Sequence, residues 1–284
     1  MAVPYFLSSG FRYFERKGVT DVQTIIDDFE DEVLSTIAPS MGAPGVQWAA
    51  WTSEGGGVYK SPVDSIGRFF KVVLTRVTQQ KLSMEIRDQN LVSICTRRIN
   101  CPSTNGWTVR IFTGPFHALI DVFMGSAAAE ALYGGILDQS PDPQGAHQHY
   151  VYGGGSRDAA DTKSNNCWDQ VAMVDDTTAV LSTGRGGLYR HWQSGAAVGR
   201  KTLSGARVYR PVEMWCKQTG AGGMYGYVHF AGKRHQALLC PASLAFGALV
   251  YVPIDTGVLG EFRVIGGVIG DNGASSFMTC MRSG

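Results

Sequence analysis

The stretch GRFFKVVLTRVTQQKLSMEIRDQNLVSICTRRIN, residues 67–100, decides the fold class. Within it, residues 82–87 read Leu, Ser, Met, Glu, Ile, Arg, an unbroken alternation of apolar and polar side chains. That period of two puts Leu82, Met84 and Ile86 on one face of an extended chain and leaves the other face polar. The runs at 68–77 and 92–99 are equally rich in β-branched and aromatic residues, and two more follow at 107–112 and 116–122. Short strands in close succession predict an antiparallel meander.

Upstream the period changes. Val22, Ile25, Ile26, Phe29, Val33 and Ile37 recur at helical spacing, which predicts a helix over 20–37. Thr20 with Gln23 has the spacing of a capping box, Asp21 suits the positive end of the helix dipole, and Pro39 marks a stop. The other face of this helix is acidic, with Asp27, Asp28, Glu30, Asp31 and Glu32, and no Lys or Arg occurs between Lys17 and Lys60. Such a face is either solvated or a docking surface for a neighbouring subunit.

Downstream, 127–137 reads as a short helix ended by Gly134 and Gly135, and 138–166, with Pro141, Pro143 and Gly153 to Gly155, reads as a loop. The loop divides the chain into 1–140, helix plus meander, and 141–284, a second β-rich region with strands expected at 171–174, 188–192, 206–214, 225–230, 248–252 and 262–268. The expected class is mainly β (α+β): an antiparallel β sandwich or barrel-like sheets with one long N-terminal helix. No repeat period links the halves.

Composition narrows the function. With 25 basic and 24 acidic side chains the formal charge is +1, so no overall field draws the molecule onto nucleic acid or anionic lipid. Glycine supplies 36 of 284 residues and charged residues 17%, against typical values of about 7% and 25%. A sparsely charged surface implies that part of it faces other protein subunits. The cysteines at 95, 101, 167, 216, 240 and 280 form no Cys-x-x-Cys pair and read as buried thiols. The absence of a signal-like N-terminus and of a long apolar run points to a soluble protein made in a reducing cytoplasm.

Few constellations carry chemistry. His147 and His149, with Asp138 and Asp142 upstream, form the best metal candidate, and a His pair in a loop is more often ordinary hydrogen bonding. His117, in an apolar run, reads as a core or interface histidine. The glycines at 153–155, at 184, 186 and 187, and at 220, 222 and 223 lack any dinucleotide or nucleoside-triphosphate fingerprint and read as tight hairpins. Trp51, Trp107, Trp168, Trp192 and Trp215 suit either sugar stacking or core packing. No serine or cysteine nucleophile motif is present, and neither a cofactor nor a metal is expected. The span 177–212 contains Arg185, Arg190, Arg200, Lys201, Arg207 and Arg210 and no acid. Together with the acidic helix it forms a complementary pair, suited to a head-to-tail contact between subunits or to pairing within one subunit.

The order of VTDVQTIIDDFEDEVLSTI (19–37), WTSEGGGVY (51–59), GRFFKVVLTRV (67–77), LSMEIRDQ (82–89), ICTRRI (94–99), IFTGPFHALIDV (111–122) and LDQSPDPQGAHQHYVYGGGSRD (137–158) resembles virion structural proteins of tailed bacteriophages, those of the neck and tail. The resemblance implies a ring-forming, non-enzymatic homo-oligomer at the head-to-tail junction, collar, tail end or baseplate. Other neck or tail proteins would be its neighbours, the virion its location and the host cytoplasm its place of assembly, with no sequence-specific nucleic-acid contact and no membrane. Two further readings stay open. One is a carbohydrate- or receptor-binding β domain of the tail or baseplate; the other is a metal-dependent hydrolase built on His147 and His149.

Overall fold

The computed structural model describes residues 12–34, 51–63, 67–91, 93–101, 106–123, 129–136, 149–155, 157, 171–175, 181–188, 210–211, 213–217, 226–230, 237–241, 248–255, 258–271 and 274–282. The class is mainly β, with antiparallel sheets and, among the described residues, a single helix.

The first three runs of the expected meander form one sheet, whereas those at 107–112 and 116–122 pair in a different, nine-stranded one. A five-stranded sheet runs β2 (Thr52–Gly55), β3 (Val58–Lys60), β4 (Lys71–Thr78), β5 (Lys81–Arg87) and β6 (Ser93–Asn100), each strand beside the next. Ile86 sits opposite Val72 and Cys95, and Met84 opposite Leu74 and Arg97, so one face is apolar and buried. Gly57 closes the β2–β3 hairpin with φ of +77°, and an added Cβ there would lie 2.4 Å from the Leu74 carbonyl oxygen. Only glycine fits that position.

The β5–β6 turn is different. The Asp88 carbonyl accepts from the Leu91 amide at 3.1 Å, its Oδ1 accepts from the Asn90 amide at 2.9 Å, and Leu91 is held at φ of +65°. A leucine pays a steric penalty there that glycine does not. Leu91→Gly is therefore expected to raise stability by up to about 1 kcal/mol, after the added freedom of the unfolded chain is counted. A shift of the urea midpoint to higher concentration would show it; a shift to lower concentration would refute the strain.

The larger sheet has nine strands, ordered β1 (Arg12–Val19), β7 (Trp107–Gly114), β8 (His117–Phe123), β9 (Ala129–Ile136), β10 (His149–Gly155), β11 (Val171–Asp175), β12 (Leu181–Leu188), β14 (Glu213–Lys217) and β15 (Gly226–Phe230). A third sheet contains β13 (Arg210–Pro211), β16 (Ala237–Pro241), β19 (Ala274–Arg282), β18 (Val258–Asp271) and β17 (Leu249–Asp255), in that order. The nine-stranded sheet is continuous across residue 140, because β9 pairs directly with β10.

Several expectations are corrected. Residues 129–136 form a strand, not a helix: Leu132 and Ile136 point into the core between the sheets, and pairing with both β8 and β10 outweighs the helical preference of an alanine-rich run. Part of the expected loop 138–166 is strand β10; of the expected strand 188–192, Leu188 lies in β12 and 189–192 lie outside the described residues. Gly134, Gly135, Gly184, Gly186 and Gly187 thus lie in strands.

The glycines of β10 have a packing role in place of the expected hairpin. A Cβ on Gly153 would stand 2.6 Å from the Cys95 sulfur and 2.7 Å from Ile86 Cγ1, and one on Gly155 would stand 2.7 Å from Arg97 Cβ. Bare backbone lets the five-stranded sheet sit directly on β10.

The helix α1 (Val22–Leu34) packs against β2 and β4 of the five-stranded sheet and β1 and β7 of the nine-stranded one. Residues 35–37 of the expected 20–37 span lie outside the described residues, so α1 accounts for 13 residues. Its cap is Asp21, whose Oδ1 accepts from the Gln23 amide at 2.8 Å, and not the expected Thr20–Gln23 box. Ile25, Phe29 and Val33 are fully buried among Trp51, Tyr59 and Phe70. Each such side chain contributes about 1.5–3 kcal/mol relative to exposure. No described helix is long and apolar enough to cross a membrane.

Candidate functional site

Strand β1, whose side chains alternate between two faces, organises the charged groups. Arg12 and Arg16 face α1. Arg16 forms a bidentate pair with Asp28, both contacts 2.7 Å, and Arg12 Nε lies 3.2 Å from Glu32. Burial raises the Glu32 carboxyl above its usual range, with Arg12 acting against the shift. Glu30 accepts from the Tyr59 hydroxyl at 2.9 Å, and Asp27 from the Gln23 side-chain amide at 2.9 Å. Of the acidic face proposed as a docking surface, Asp28, Glu30 and Glu32 are therefore engaged by their own chain, while Asp27 and Asp31 stay exposed.

On the opposite face of the nine-stranded sheet a polar row crosses three strands. The Tyr13 hydroxyl donates to Glu15 at 2.7 Å, and Arg110 Nε donates to Glu15 at 3.0 Å. Directly across β7 and β8, Arg110 faces Asp121, with the nearest nitrogen–oxygen distance 3.9 Å. Asp121 is fully buried, and neither of its oxygens accepts a hydrogen bond among the described residues. Burial pushes its carboxyl up to about 7, against the lowering effect of Arg110. For Glu15 burial again works upward, but the Tyr13 hydroxyl and the Arg110 guanidinium hold its carboxyl below the usual range. Phe112, Leu119 and Tyr133 fill the same face, and from the third sheet the Arg263 guanidinium stacks 4.1 Å above the Tyr13 ring.

A second buried cluster joins the sheets at the end of β6. Glu130, 1% exposed, accepts from Arg157 Nη2 at 2.8 Å and Nε at 3.0 Å, and from the Asn100 amide at 2.8 Å. The Arg157 carbonyl in turn accepts from the Arg98 amide at 2.9 Å. Burial, and then the Glu130 carboxylate, push the Cys101 thiol up to about 12; burial does the same for Cys95. Both are free buried thiols, as their sequence setting predicts.

A carboxyl that titrates near neutrality is the usual mark of acid–base work. A general base must also reach the proton it takes, and Asp121 is sealed between two sheets.

His117 lies buried on β8. Trp51 and Trp107 are core side chains, Trp51 donating from Nε1 to the Gly114 carbonyl at 2.9 Å, which removes both from sugar stacking. His149 opens β10 in register with Asp175, while His147, Asp138 and Asp142 lie outside the described residues, as do Trp168, Trp192, Arg190, Arg200, Lys201 and Arg207. Arg185 lies on β12 and Arg210 on β13. Among the described residues no cluster of three metal-ligating side chains occurs. Sequence reading missed Asp121 and Glu130. Their signal was a lone acid within an apolar run, FHALIDVF and SAAAEALY. No family model and no curated protein sequence matches this chain.

Proposed function

We propose that this chain is a non-enzymatic structural subunit of a symmetric assembly, of the kind found in the neck, collar or tail of a tailed phage. The observation that carries the reading is the contrast between two terminal strands. At one edge of the nine-stranded sheet, β1 presents the exposed charges of Glu15, Arg16 and Lys17, which discourage edge pairing. At the edge of the third sheet, β17 carries no charge before Asp255 and displays Leu249 and Tyr251, 41% and 47% exposed. An uncharged terminal strand with two large exposed apolar side chains is suited to a second copy of the chain. Asp27 and Asp31 are the helix acids left exposed, and they would meet the acid-free 177–212 span of a neighbour, setting register more than affinity.

Light scattering coupled to size-exclusion chromatography tests this. The wild-type chain is expected to elute at a multiple of 30.6 kDa, and Leu249→Asp combined with Tyr251→Asp is expected to return it towards the monomer. A wild-type monomer at tens of micromolar would overturn the assembly reading, and its absence from purified particles would overturn the phage location.

A further inference from the structure

Arg110 stands between two carboxylates and is hydrogen-bonded through Nε to only one of them, Glu15, while Asp121 waits fully buried 3.9 Å from the same guanidinium. Glu15 is also the acceptor of the Tyr13 hydroxyl, and Tyr13 is the ring on which Arg263 of the third sheet rests. We propose that the row Tyr13–Glu15–Arg110–Asp121 is a pH-responsive junction, holding the third sheet on the nine-stranded sheet while Asp121 keeps its proton and loosening when the proton leaves.

The reasoning is electrostatic. A neutral Asp121 makes no claim on Arg110, so the guanidinium stays on Glu15 and the Tyr13–Arg263 stack is supported from beneath. An ionised Asp121, without a described hydrogen-bond donor, is a buried carboxylate whose nearest countercharge is the Arg110 guanidinium 3.9 Å away. Arg110 is then contested by two anions, and any turn towards Asp121 weakens the hold on Glu15 and, through it, on Tyr13. The titratable and charged groups on the elements around Asp121 include Tyr13, Glu15 and Lys17 on β1, Arg110 on β7, His117 on its own strand, Tyr133 on β9, and Glu261 and Arg263 on β18; of these, Arg110 is the one whose charge acts on its carboxyl. Because the folded chain holds a proton that the unfolded chain has already lost, stability contributed at this position falls as pH rises, and levels off once the folded carboxyl has ionised.

The experiment is amide hydrogen exchange of the whole chain across pH 5 to about 8, corrected for intrinsic rates, on wild type, Asp121→Asn and Glu15→Gln. Wild-type amides of β1 and β18 are expected to lose protection as pH rises towards neutrality and to level off above it, with the unfolding constant rising relative to Asp121→Asn by about tenfold per pH unit below that levelling step. Asp121→Asn, neutral throughout, is expected to show no step. Glu15→Gln frees Arg110 for Asp121 and is expected to move the step to lower pH. A step that survives in Asp121→Asn would assign it to another group, such as His117, and overturn the proposal, as would a wild type with no step. Should Asp121→Asn fail to fold, an unmoved step in Glu15→Gln overturns it.

Discussion

Replacing Glu130 by alanine is expected to destabilise the fold by about 3–5 kcal/mol, because it strips the anion from a buried ion pair. Glu130 is the shared acceptor of the Arg157 fork and of the Asn100 amide. Its removal leaves a guanidinium with only 22% side-chain exposure and a backbone donor at the end of β6. Glu130→Gln keeps the shape and an acceptor for Asn100, so its cost is expected to be smaller, about 1–3 kcal/mol. Urea unfolding at constant slope reads both effects. A Glu130→Ala protein within 1 kcal/mol of wild type (about a fivefold change in the folded-to-unfolded ratio) would show that the cluster does not hold the sheets together.

Gly153→Val is expected to cost about 3 kcal/mol or more, since overpacking a filled layer forces either backbone or neighbours to move. The first atom added would meet Cys95 Sγ at 2.6 Å and Ile86 Cγ1 at 2.7 Å, both on strands that cannot retreat without opening the five-stranded sheet. Gly153→Ala is the milder probe, at about 1–3 kcal/mol. Combined with Cys95→Ala it is expected to cost less than the two single changes added, with a coupling of at least about 0.5 kcal/mol. Strict additivity would mean that β10 and β6 are not in contact.

Strand β5 was legible because of its alternation: Leu82, Met84 and Ile86 are buried while Glu85 and Arg87 remain accessible. The helix was legible for the same reason at a different period. Strand β9 was not, because it is buried on both faces, so its apolar run AEALYGGI carries no alternation to distinguish strand from helix. Of the candidate contacts, the acidity of α1 was plain, but its partners Arg12 and Arg16 lie on β1, a strand unrecognised in the sequence reading. Charges close in space here are 12 to 20 residues apart along the chain, as Arg16 is from Asp28 and Arg12 from Glu32, and spacing alone names no partner across such a gap.

By itself, the sequence determined what periodicity can encode: a mainly β chain, a helix with one apolar face, a scarcity of charge and a wealth of glycine. Tertiary structure alone decided that three consecutive glycines form a strand seam, that Asp121 and Arg110 face each other across β7 and β8, and that Asp28, Glu30 and Glu32 of the helix turn to their own chain. The physical reason is that periodicity reports which side of an element meets an apolar layer, whereas a carboxyl's ionisation and a glycine's necessity depend on which atoms of a distant segment arrive opposite it.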